Sequence, residues 1–139
     1  SRILAMSKNT ENHVVVVGIG AMGGGMARAL LDSPVTNIVV GYDRSTEAVK
    51  KFFQESEAAN KAGNNPPSSL RESISDGTDF VLLSLVNESQ CEQVCFGDGD
   101  NLFNLMPKGS CVILTSTVSG KSDKNFVLRS QEVLWNLTN

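Results

Sequence analysis

Apolar residues along this chain fall in short dense runs separated by polar, helix-prone stretches. Val14-Val15-Val16-Val17 is an unbroken β-branched run ending at Gly18. A strand with one wet face would alternate, so this run predicts a strand covered on both faces. From Gly20 to Leu31 the positions Ala21, Met22, Met26, Ala27, Ala29 and Leu30 predict a small-residue helix, closed by Asp32-Ser33-Pro34. Ile38-Val39-Val40 reads as a second strand ending near Tyr42-Asp43, with Ser45 as N-cap of a helix whose stripe is Ala48, Val49, Phe52 and Phe53. The stretch from Asn60 to Ser69, with Gly63 and Pro66-Pro67, holds at most a short third strand, and Ser68 or Ser69 starts a short helix. Phe80 to Val86 predicts another buried strand, Glu88 to Phe96 a helix, Leu102 to Met106 a short apolar piece, and Cys111 to Leu114 a further strand. Strands alternating with helices predict an α/β fold with a doubly wound, mostly parallel sheet and its ligand at the carboxyl ends of the strands.

Composition narrows this little. With 139 residues, 40% hydrophobic and 19% charged, the chain suits one globular domain with its own core. A net charge of −3 gives no basic surplus for phosphate backbones, which argues against nucleic acid as a partner. No apolar run is long enough to span a membrane. Cys91 and Cys95 stand one helical turn apart, but with Cys111 and the single His13 they supply neither a zinc set nor a Cys/His catalytic pair, so no metal is expected. Reduced thiols suggest a reducing compartment: the cytoplasm, or an organelle, since a chain starting Ser1-Arg2 leaves a targeting segment open.

The chemistry concentrates at Gly18-Ile19-Gly20-Ala21-Met22-Gly23, a G-x-G-x-x-G spacing between the first strand and the first helix. In that context Gly18 makes the tight turn, Gly20 lets a pyrophosphate approach the backbone, and Gly23 lets the helix lie close to the sheet. Free N–H groups at the helix start then bind the phosphates without a basic side chain. Taken alone the hexapeptide is as well explained by a glycine-rich turn. Asp43 shifts the balance, because it ends the second strand about 20 residues later, where an acid accepts from the adenosine ribose 2′-OH. A Rossmann-type dinucleotide-binding fold follows. Asp43 favours NAD, and the adjacent Arg44 leaves NADP open. Gly24 and Gly25, each costing about 1 kcal/mol in a helix, suggest close packing against the sheet or cofactor.

From Val14 to about Gly120 the chain resembles the N-terminal domain of 3-hydroxyisobutyrate dehydrogenase and its β-hydroxyacid relatives, and is similar to the 6-phosphogluconate dehydrogenase cofactor domain. The resemblance rests on the glycine segment through Met26-Ala27-Arg28-Ala29-Leu30, on Gly41-Tyr42-Asp43-Arg44, on Ser84-Leu85-Val86-Asn87, and on Gly109 to Ser119. It implies that Val86 and Asn87 lie in a loop over the cofactor and that Thr117 sits by the nicotinamide, with Ser116 and Ser119 as weaker substrate-side candidates. Without the family, Thr115-Ser116-Thr117 is a polar strand end that caps a helix. Asn87 replaces a usual proline and Leu114 a usual aspartate.

The expected organisation is a polar segment 1–12, a dinucleotide-binding domain 13–120, and a divergent tail 121–139 in which the family's glycine-rich block and catalytic lysine and asparagine are not found. Lys121 and Lys124 read as solvated surface lysines. The resemblance therefore implies the NAD(P)-binding portion of an oxidoreductase acting on a β-hydroxyacid, with the chain alone inactive and no catalytic residue assigned to it. The small hydroxyacid belongs to a full-length form, and a homo-oligomer is possible. Two alternatives stay open: a non-catalytic dinucleotide-binding module, and an α/β domain binding another adenosine ligand, which Gly23 disfavours.

Overall fold

In a computed structural model, residues 12–34, 36–56 and 66–115 are described. The chain runs β1 (Asn12–Val17), α1 (Ala21–Leu31), β2 (Thr36–Tyr42), α2 (Thr46–Glu55), α3 (Leu70–Ser73), β3 (Phe80–Leu83), α4 (Glu88–Phe96), α5 (Leu102–Leu105) and β4 (Cys111–Leu114). Every strand pair is parallel, in the order β2-β1-β3-β4, so the direction of winding reverses at β1. The register aligns Val17 with Tyr42 on one side and with Leu83 on the other, which brings the carboxyl ends of β1, β2 and β3 to one edge. A doubly wound sheet binds ligands at such a reversal.

The valine run explains the layering. Side chains alternate across a strand, so Val14 and Val16 join Ala27 of α1 and Val49, Phe52 and Phe53 of α2, while Val15 and Val17 join Leu70, Cys95, Leu102 and Phe103 on the other face. All four valines are at most 6% exposed. Each contributes about 1.5–3 kcal/mol by leaving water, which only a sheet covered on both faces can supply.

One expectation changes. The strand predicted from Phe80 to Val86 ends at Leu83. Ser84 N–H still donates to Val17 O at 2.8 Å, but the Val86 N–H is taken by the Gln90 side chain at 3.1 Å, so Leu85 and Val86 turn off the sheet. An apolar run does not record where its ladder partners stop. The candidate third strand, expected between Asn60 and Ser69, lies outside the described residues over 60–65, and 66–69 contains no strand; Ser69 caps α3.

Candidate functional site

Five helices begin in the described residues, and their starts differ in kind. Side-chain oxygens of Ser45, Ser69, Asn87 and Asn101 accept from the backbone N–H of Ala48, Glu72, Gln90 and Asn104 and so cap α2 to α5. The glycine helix α1 has Gly20 at its N-cap, no side-chain cap and no acid in its first turn. Its first N–H groups are therefore left to an outside acceptor, and an anion is the one its dipole favours.

The glycines in front of that helix divide into two kinds. Gly18 has φ +90°, and a Cβ on it would lie 2.1 Å from Ser84 O. A Cβ on Gly23 would lie 1.7 Å from Gly18 O and 3.1 Å from Ser84 Cβ. Neither position tolerates a side chain, because backbone atoms occupy the space. Gly20 is different: its φ −64° and ψ −159° suit any residue, and a Cβ there meets nothing within 4 Å. No part of the described fold requires glycine at that position. A pyrophosphate lying against the backbone does, so the residues present fit a dinucleotide. Gly24 is buried, with Ile19 O 3.0 Å from a Cβ built on it, as close packing requires. Gly25 is exposed with open space around it, so among the described residues it packs against nothing.

Beside this turn, at the carboxyl ends of β1, β2 and β3, lies a cleft of about 530 Å³ lined by Gly18, Gly20, Asp43, Arg44, Ser84 and Val86, with α4 as its far wall. Ligand pockets usually have such volumes. Asp43 is half-buried at its edge. Its Oδ2 accepts from Ile19 N–H at 3.0 Å and its Oδ1 from Ser45 N–H at 2.9 Å, which leaves each oxygen a further lone pair for a ribose hydroxyl. Arg44 reaches across the cleft and donates from Nη1 to Gln93 Oε1 at 3.4 Å. Arg71 donates from Nε to both oxygens of Asp100, a further lining residue, at 3.0 and 3.2 Å, and this pairing holds the Asp100 carboxyl below its ordinary range. A second cavity of about 310 Å³, lined by residues including His13 and Thr78, lies at the amino ends of the strands, away from the glycine turn.

Of the residues singled out in the sequence, Gly18, Gly20, Asp43, Arg44 and Val86 line one cleft. Ile19 does not line it: its N–H bonds Asp43, and its side chain is 7% exposed and packs in the core. Ala21 and Met22 stand on the exposed first turn of α1. Asn87 does not line the cleft: its side chain is committed to capping α4. Thr117, Ser116 and Ser119 lie outside the described residues. Ser84, Gln90 and Gln93 were not anticipated. Gln90 and Gln93 are one turn apart on the helix after the β3 loop, a spacing that puts both on one face.

Comparison with known proteins identifies relatives and the family. L-threonate dehydrogenase of Pectobacterium atrosepticum is 30% identical over 127 residues, 91% of this chain, and the chain spans 38% of its length. L-threonate dehydrogenase of Cupriavidus necator is 32% identical over 108 residues, 78% of this chain and 33% of that protein. An imine reductase from Myxococcus stipitatus, solved in complex with NAD+, superposes on 89% of this chain and 38% of its own with a TM-score of 0.67 at 14% identity, a likeness of fold. Among the described residues no helix is long and apolar enough to cross a membrane. The model of the NAD binding domain of 6-phosphogluconate dehydrogenase matches residues 13–133, which include the glycine turn, Asp43 and the whole cleft, and the chain belongs to that family.

Proposed function

We propose that this chain is the NAD-preferring cofactor portion of an oxidoreductase whose substrate is a small hydroxyacid, working in the cytoplasm or another reducing compartment. The observation that carries it is the uncapped start of α1 behind a glycine with no role in the fold, opening on a cleft edged by Asp43. Hydride transfer is the chemistry that nicotinamide supplies when bound. The residues of this chain hold and orient it: the first N–H groups of α1 take the pyrophosphate, Asp43 accepts from the adenosine ribose, and Val86 covers the cleft. Val86 is 88% exposed, an apolar side chain available to a ligand surface. By family resemblance Thr117 adjoins the nicotinamide, with Ser116 and Ser119 nearer the substrate. The L-threonate dehydrogenases among the relatives favour a hydroxyacid as the substrate class.

Asp43 is the reason for preferring NAD. A carboxylate about 4 Å from a 2′-phosphate costs about 4 kcal/mol at an effective dielectric near 20. Arg44 could repay this only by leaving Gln93 and turning to the ribose. Calorimetric titration with NAD and NADP tests the reading: tighter NAD binding is expected, and equal or tighter NADP binding would make Arg44 the recognition residue. Among the described residues no lysine or histidine lines the cleft, so none of them supplies a proton carrier of that kind there. The purified chain is accordingly expected to bind NAD without oxidising hydroxyacids. Turnover above the blank would reveal an acid/base group within it.

A further inference from the structure

We propose that Asp43 is also a positioning residue, the strut that holds the glycine turn in the shape that presents the start of α1. This rests in part on the reading of the cleft as a dinucleotide site. The turn is tied to the end of β2 at two successive residues. Gly18 N–H donates to Tyr42 O at 2.8 Å, a backbone bond, and Ile19 N–H donates to Asp43 Oδ2 at 3.0 Å, a tie made by a side chain. The other oxygen of the same carboxylate accepts from Ser45 N–H at 2.9 Å, so Asp43 links the start of α2 to the turn before α1. Ile19 is held on its other side by its buried side chain, whose Cγ2 lies 3.2 Å from the Cβ position of Gly41.

The geometry makes a carboxylate necessary. Two amide donors arrive at two separate oxygens, and only an ionised carboxylate offers both as acceptors. A carboxamide has one acceptor and would turn its NH2 toward one of the donors. A residue that only read the ribose would need no such pair in the absence of ligand. Removing it should therefore weaken the binding of ligands that contain no ribose, because the phosphate-binding N–H groups would no longer be fixed before the ligand arrives.

Amide hydrogen exchange in the ligand-free protein tests this without any assay of activity. In the wild type the Ile19 amide, at the mouth of an open cleft, is expected to be protected; rapid exchange there would overturn the proposal with no variant made. In Asp43→Asn the Ile19 amide should exchange about 10- to 100-fold faster, the loss associated with a hydrogen bond to a charged acceptor, while Val15 and Val81 in the sheet keep their protection. Binding of inorganic pyrophosphate, measured by calorimetry, should weaken by a similar factor. Unchanged exchange at Ile19 with unchanged pyrophosphate affinity, alongside weaker NAD binding, would reduce Asp43 to a ribose contact and overturn the strut. Failure of the wild type to bind NAD at all would defeat the proposed function instead, and the exchange data would still decide the strut.

Discussion

Replacing Gly20 by valine separates what the fold needs from what the ligand needs. The extended backbone at Gly20 is open to valine, and nothing lies within 4 Å of a Cβ there, so the fold should survive. The cost to stability is that of an apolar residue at an N-cap, about 1 kcal/mol. For a domain of this size that is a fall in Tm of about 3–5 °C. Binding should suffer more. Two methyls on the surface where a pyrophosphate approaches act as overpacking, worth about 1–3 kcal/mol. Displacement of the phosphates also lengthens charge-assisted bonds from the α1 amides, each worth about 1.5–3 kcal/mol. A combined loss of about 3 kcal/mol corresponds to roughly 150-fold in Kd. Calorimetry with NAD, beside a thermal melt of the same preparation, reads both quantities. A folded Gly20→Val protein with unchanged affinity would refute the reasoning, because it would place the pyrophosphate elsewhere.

Gly23→Ala should show the opposite behaviour: with Gly18 O 1.7 Å from the new Cβ, α1 must move off the turn, and more than about 3 kcal/mol of stability is expected to go, read as a lower urea midpoint. Of the free thiols, Cys111 alone is exposed, so a disulfide reagent at mildly alkaline pH should modify Cys111 in the folded protein and reach Cys91 and Cys95 only on unfolding. Burial, reinforced by Cys91, pushes the Cys95 thiol up from 9.0 to about 12. The folded state thus keeps a proton that the unfolded state releases, and stability should fall as pH rises from about 9 toward 12, with urea midpoints at stepped pH as the check.

The layers of the fold were legible because they follow from periodicity. An unbroken valine run has no wet face, and the two clusters around β1 are the structural form of that statement. The β2 carboxylate and the glycine spacing were legible because each depends on chain geometry over a short range. What escaped depends on partners that composition and periodicity do not name. Asn87 stands in the loop after β3, and its part in capping α4 shows only in the position of Gln90 N–H. The end of β3 at Leu83 depends on where β1 and β4 stop offering partners, and the strand's own composition does not contain that information. Ser84 stands in a block of the family pattern, but its packing role is not readable there: its carbonyl matters because Gly18, 66 positions earlier, turns against it.

The glycine motif is better read as three separate constraints than as one binding signature. Gly18 and Gly23 are fixed by Ser84 and by each other, so any substitution there damages the fold and abolishes binding as a by-product. Loss of cofactor binding at those positions would consequently say nothing about where the cofactor lies. Asp43 carries a structural burden in its bonds to Ile19 and Ser45, and the proposed recognition of the ribose would fall to the lone pairs that remain. Gly20 alone among these residues is free of structural demand in the ligand-free protein. A loss of binding on substitution there would therefore be assigned to the ligand, and it is the position at which a binding measurement reports on binding.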